Sequence, residues 1–159
     1  MSAPKPKTLE FFVWCAPAPQ PRPRATVVGG RARIYNPKLG REWKDAVSFT
    51  ARLASHEAGV DPLTGVYLVG PVELEMEFVL PRPKSHLGTG RNQGTLKKSA
   101  PQFHTTKPDC DNLAKGVADA CSDVVYSDDR QITTMSISKR YSSPTEESGV
   151  WVRASSPAS

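Results

Sequence analysis

Soft metal ligands and redox-active residues are scarce in this chain. Three cysteines, Cys15, Cys110 and Cys121, are scattered through 159 residues, with no Cys-x-x-Cys pair. His56, His86 and His104 show no paired spacing and take no role. A disulfide framework and a zinc site of ordinary ligand spacing are thereby excluded, and the usage fits a reducing cytosol. Long hydrophobic runs are missing too. The longest, Leu9 to Ala16, falls far short of the roughly 20 residues that span a bilayer. Met1 to Thr8 is rich in Pro and Lys rather than a charged start leading into an apolar stretch. Neither membrane insertion nor secretion is expected. Acidic side chains are absent from one long stretch, since residues 81–107 carry six Lys or Arg and no Asp or Glu.

What is present suits one soluble globular domain, with 38% hydrophobic and 23% charged residues in a length that supports a single core. The net charge of +5 permits a polyanionic partner. Its distribution says more. Residues 1–60 and 81–107 each contribute +6, whereas residues 61–80 and 108–131 each contribute −4. An acidic cluster inside a basic protein needs a reason, the plainest being solubility and helix capping.

The 15 prolines concentrate at Pro17 to Pro23 and at a few junctions. Leu9 to Cys15 reads as a strand, and Ala16 to Arg24 cannot be helix because Pro recurs at every second position. Gly29-Gly30 allows a tight turn before Arg33 to Tyr35. Leu39, Trp43, Ala46, Val47, Leu53 and Ala54 follow helical spacing and predict a helix over 38–57. Val72, Leu74, Met76, Phe78 and Leu80 alternate with Glu73, Glu75, Glu77 and Val79, the period-2 signature of a strand with one buried face. Residues 82–107 show neither period and read as a long basic loop. A second helix follows Pro108, with Leu113, Val117 and Cys121 on one stripe and Asp111 or Asn112 placed to cap it. Val124 to Tyr126, Ile132 to Ser138 and Val150 to Val152 read as later strands. Residues 1–8 and 154–159 read as disordered tails. The expectation is an α/β (α+β) domain, a small mixed sheet with about two main helices packed on it.

Asp111, Lys115 and Asp119 are spaced i, i+4, i+8 and share one helix face, with Asp109 just before it. Asp128 and Asp129 follow a short segment, and a chain returning along the helix can bring them back to its N-terminal end. Carboxylates drawn together repel unless a cation relieves them. Oxygen-only ligands favour Mg2+ or Mn2+ over zinc. Such an ion acidifies water and neutralises charge on phosphate oxygens during phosphodiester hydrolysis. Lys115 would add a fixed positive charge there; its plainer role is an i, i+4 partner of Asp111, worth only a few tenths of a kcal/mol. Gly116 costs a helix interior about 1 kcal/mol, which suggests that backbone or substrate approaches closely there.

The run Lys-Pro-Asp109-Cys-Asp111-Asn112-Leu-Ala-Lys115, then Asp119-Ala, then Val-Val-Tyr126-Ser-Asp128-Asp129-Arg-Gln131-Ile, closely resembles the RusA-type Holliday junction resolvases. Their pattern is Asp-x-Asp-Asn-x-x-Lys, a hydrophobic stretch, and Asp-Asp-x-Gln. The Pro-x-Pro-Arg-Pro-Arg stretch at 19–24, with Tyr35 and a helix after it, looks like that family as well. Two departures are Cys110, where a larger aliphatic is common, and Ser122-Asp123, in place of a turn that often contains Gly. The resemblance implies a homodimeric, Mg2+-dependent endonuclease that binds branched DNA, the four-way junction, by its structure and nicks two strands symmetrically. Its metal-site aspartates map onto Asp109, Asp111 and Asp129 and its helix lysine onto Lys115, with Asp119 and Asp128 second in rank. Small size and basic termini suit a phage protein.

Candidate DNA contacts are Arg22, Arg24, Arg31, Arg33, Lys38, Arg41 and Lys44 around the Pro-rich segment, and Arg82, Lys84, Arg91, Lys97, Lys98 and Lys107 in the long loop. Such contacts confer affinity and salt dependence rather than sequence choice. Trp14, Trp43 and Trp151 lie on expected elements and read as core rather than as stacking platforms. Two other readings stay open: a non-catalytic DNA-binding module whose aspartates only cap a helix, and a nuclease for flaps or RNA built on the same carboxylates.

Overall fold

Alternation of apolar and polar side chains decides which way each strand faces. The computed structural model describes residues 7–20, 24–35, 39–61, 63 and 65–158. Arg22, Lys38 and residues 1–6 of the expected N-terminal tail lie outside them. Strand β1 (Thr8–Val13) buries Leu9, Phe11 and Val13. A hairpin follows, β2 (Arg24–Val28) and β3 (Arg31–Tyr35), turned by Gly29 and Gly30 at φ of 60° and 75°. Next come helix α1 (Leu39–Glu57) and strand β4 (Val72–Leu80), then helix α2 (Cys110–Cys121) and strands β5 (Ile132–Tyr141) and β6 (Gly149–Ser155).

The main sheet has the order β1-β6-β4-β5 and is mixed: β4 pairs parallel with β5, while β6 runs antiparallel to both β1 and β4. A parallel pair needs a crossover, and α2 supplies it. Both helices contribute to the core on one side of the sheet. Trp43, Val47 and Ala51 of α1 meet Leu113, Ala114, Val117 and Cys121 of α2 above Leu74, Met76, Val150 and Val152. This is an α+β fold with one core. The opposite face carries Glu10, Glu73, Glu75 and Arg153, whose ion pairs to Glu10 and Glu75 measure 3.1 and 3.9 Å.

Several expectations change. Val124 to Tyr126 is a buried turn, not a strand: three consecutive apolar residues plug the core beneath α2, and the carbonyl of Cys121 accepts from both Val124 N and Val125 N. Ala154 and Ser155 belong to β6, and the chain is tied further by Ser156 N donating to Lys7 O at 3.0 Å, so the expected tail at 154 starts too early. Thr8 likewise belongs to β1. Trp14 and Trp151 are 71% and 52% exposed. They occupy outward positions of β1's continuation and of β6, where the Phe12 ring meets Trp14 edge to face at 4.5 Å and Trp151 at a tilt at 4.9 Å; only Trp43 is core. Leu53 faces outward on α1.

Candidate active site

Helix α2 is approached through the long loop, which is fastened from within. Arg82 donates from Nε to Ser142 O at 2.6 Å and from Nη1 to Pro101 O at 2.7 Å, and its guanidinium lies over the Tyr141 ring. Lys97 Nζ donates to Ser85 O at 2.9 Å. These two candidate DNA contacts therefore hold loop carbonyls. His104 is buried against Tyr141, and its pKa is lowered by burial first and then by the Lys139 charge. Lys139, which the sequence reading passed over, donates to the carbonyls of Thr106 and Pro108 at 2.7 and 2.8 Å and so fixes the chain just before Asp109. No sequence signal singled it out, because it lies just past the strand expected over Ile132 to Ser138.

Asp109 itself holds the N-cap position of α2, in place of the expected Asp111 or Asn112. Its backbone is extended, at φ −77° and ψ 150°, yet its side chain makes no capping hydrogen bond. Omitting a cap bond forgoes about 1 kcal/mol. A local rule left unmet in this way is typical of a functional position.

The second arm of the site is built by the turn after α2. Asp123 adopts φ 62°, the left-handed conformation that glycine favours and that Asp tolerates better than most side chains. Tyr126 Oη donates to Ala118 O at 2.9 Å, and its pKa is raised by burial and then by the charges of Cys121, Asp129 and Asp119. Gln131 explains its own place in the motif. Its Oε1 accepts from Ser127 N and Asp128 N at 2.8 and 3.0 Å, while Nε2 donates to Gly70 O at 2.7 Å. The turn bearing Asp129 is thus clamped to the start of β4. Asp128 caps the turn, accepting from Arg130 N and Nε at 2.9 Å each, and these bonds to Arg130 hold its carboxyl down at about 2.

Asp111, Lys115, Asp119 and Asp129 line a single groove of about 440 Å³ between α2 and β5, floored by Ile132, Met135 and Ile137. Asp109 and Asp128 do not line it. The carboxylates are strung along the groove rather than gathered at a point. Eight residues separate Asp111 from Asp119, about 12 Å of helical rise, and among the described residues no three His, Cys, Asp or Glu side chains stand together as a preformed cation site. Among the described residues Lys115 makes no ion pair within 4 Å, so its plainer role as a partner of Asp111 is absent. Asp119, in contrast, is engaged: Gln20 Nε2 donates to its Oδ2 at 2.9 Å and Lys44 Nζ lies 3.9 Å away. At Gly116 the nearest atoms a Cβ would meet belong to Trp43, at 3.7 and 3.8 Å, and Gln20, at 4.0 Å. The close neighbour suggested by that glycine is the α1 tryptophan, and a methyl group fits.

Of the remaining basic candidates, Arg31 and Arg33 are exposed on the β2-β3 hairpin, and Arg24 opens β2. Lys84, Arg91, Lys98 and Lys107 are exposed on the loop. No helix among the described residues is long and apolar enough to cross a membrane.

Comparison with known proteins identifies the family. Residues 15–152 match the family Endodeoxyribonuclease RusA, a span that takes in the Pro-rich segment, α2 and the Asp129 turn. The chain is also similar to the uncharacterized protein YqaN of Bacillus subtilis (strain 168), 31% identical over 134 residues that cover 84% of this chain and 88% of that protein. The chain belongs to the RusA family of endodeoxyribonucleases.

Proposed function

We propose that the protein is a divalent-cation-dependent endonuclease selective for branched DNA, resolving four-way junctions as a homodimer by one nick in each of two equivalent strands. The observation that carries this reading is the groove shared by Asp111, Lys115 and Asp129, whose side chains come from a helix and from a separately clamped turn.

The donor chemistry fits a hard cation, because every candidate ligand is a carboxylate oxygen. Asp111 and Asp129 would hold it, with Asp109 at the helix entrance, its carboxylate not spent on the cap. When bound, such a cation supplies acidification of water and neutralisation of charge on the scissile phosphate. The rest falls to the chain itself. Lys115, exposed and without an ion pair among the described residues, offers its ammonium to a phosphate oxygen along the groove. Arg31, Arg33 and the exposed loop lysines supply contacts to the DNA backbone that raise affinity without reading bases. Homodimerism follows from the substrate: one small site cuts one strand, and a two-fold enzyme on a two-fold junction cuts two equivalent ones.

The test is incubation of the purified protein with a synthetic four-way junction, a flap, a single-stranded RNA and a linear duplex, in Mg2+ and in EDTA. Paired nicks confined to the junction and lost in EDTA are expected. Equal cutting of all substrates would replace junction selectivity with a broader nuclease, and tight binding without cutting would refute catalysis.

A further inference from the structure

Asp119 lines the cleavage groove, but its side-chain partners are in the Pro-rich segment and on α1. Gln20 belongs to that segment, and two contacts seat it on α2: its Nε2 donates to Asp119 Oδ2 at 2.9 Å, and its backbone N–H reaches Asn112 O at 3.5 Å. Lys44 of α1 approaches the same carboxylate oxygen at 3.9 Å. The Gln20 amide is enclosed: its Oε1 is buried with no hydrogen-bond partner among the described residues, and its Cβ and the Trp43 indole both lie against Gly116. Arg22 and Arg24 follow Gln20 by two and four residues in sequence.

We propose that Gln20 and Asp119 form a clasp that fastens the Pro/Arg segment to the catalytic helix, which makes both of them positioning residues and removes Asp119 from the cation-binding set. The physical argument rests on what a carboxylate can do at once. An oxygen that accepts from an enclosed amide and faces an ammonium has its charge already compensated, so a cation gains less there than at Asp111 or Asp129. The clasp joins two things the reaction needs in register. The basic segment meets DNA, the helix carries Asp111 and Lys115, and a displacement of about 1 Å between such parts can cost about a hundredfold in rate. The link to DNA cleavage rests on the function proposed above; the clasp itself does not.

The variants are Gln20→Ala, Asp119→Ala, the double variant and Asp119→Asn, which keeps an oxygen able to accept from Gln20. Three readouts separate the possibilities. Limited trypsin digestion at the Arg24–Ala25 bond is expected to speed by about fivefold or more in both alanine variants, with cutting after Arg52 inside α1 unchanged. Junction affinity in EDTA is expected to fall in both, by no more in the double variant than in either single one. Asp119→Asn is expected to restore both properties and to leave the half-saturating Mg2+ concentration for cleavage within twofold of the unsubstituted protein. Trypsin cutting within twofold of the unsubstituted rate, additive losses in the double variant, or a tenfold higher Mg2+ requirement in Asp119→Asn would each overturn the clasp. If an alanine variant opens globally, so that Arg52 is cut faster as well, Asp119→Asn decides. Should the protein cut no DNA at all, the proposed function falls while the trypsin result still judges the clasp.

Discussion

Replacing Gln131 with alanine removes three hydrogen bonds at one stroke. Two run from the backbone of Ser127 and Asp128 to its Oε1, and the third runs from its Nε2 to Gly70 O. Each such bond contributes about 0.5–1.5 kcal/mol net when its partners are shielded from water. Here Gln131 is half-buried and Ser127 exposed, so water replaces part of the loss. A destabilisation of about 1–2 kcal/mol follows, which for a domain of this size lowers the melting temperature by about 3–6 °C. The activity effect should exceed the stability effect. The turn carrying Asp129 loses its attachment to β4 while the core beneath it, Tyr126 and Ile132, is untouched. Gln131→Glu is informative beside it, because its carboxylate still accepts from both amides but repels Gly70 O; it should recover part of the stability. Equilibrium urea unfolding followed by far-ultraviolet circular dichroism gives the first quantity, and single-turnover cleavage gives the second. Gln131→Ala with stability within 0.3 kcal/mol of the unsubstituted protein and an unchanged cleavage rate would refute the clamp.

Gly116→Ala should stabilise the fold by about 0.5–1 kcal/mol, because the new methyl meets Trp43 at ordinary contact distance and the helix loses a flexible residue; a loss measured by urea unfolding would contradict this. At Asp123, with φ 62°, a glycine should be tolerated and valine should cost about 1–2 kcal/mol, so equal melting temperatures for the two variants would show that the turn imposes no such strain. Arg140 donates two hydrogen bonds of 2.7 Å to Glu146 and holds its carboxyl at about 2, against an ordinary 4.5. The folded value lies below the unfolded one, so this stabilisation is complete above about pH 4.5 and drains away as pH falls toward 2. The stability gap between the unsubstituted protein and Glu146→Gln should close over that window; a gap independent of pH would disprove the linkage.

Much of this was legible in the residues because its physics is local. The alternation from Val72 to Leu80 gave the strand, although its last three residues, Phe78 to Leu80, are buried on both faces, and α2 followed from one apolar stripe and its start after Pro108. The motif named Asp111, Lys115 and Asp129, which line one groove, but their spread along it, with Asp109 at the N-cap of α2 outside that lining, was not legible. What stayed hidden depends on partners distant in sequence. Three apolar residues, Val124 to Tyr126, read equally as strand or as a plug beneath a helix, and only the packing of Tyr126 against Ala118 settles it. Trp14 and Trp151 read as core because they lie on expected elements, yet counting in twos from Leu9 and from Val150 puts both outside. Arg82 and Asp119 carried charges that suggested DNA and cation, and each is engaged by groups far along the chain, Ser142 for one and Gln20 for the other.

The central claim is that Asp111 and Asp129, brought to one groove, carry the chemistry. Its most direct test is single-turnover cleavage of a synthetic four-way junction by Asp129→Asn at saturating Mg2+, with junction affinity measured in EDTA alongside. Loss of a carboxylate that holds the cation removes several kcal/mol of transition-state stabilisation, so the rate should fall by about a hundredfold or more while affinity changes by no more than a few-fold. A cleavage rate within tenfold of the unsubstituted protein would contradict the account.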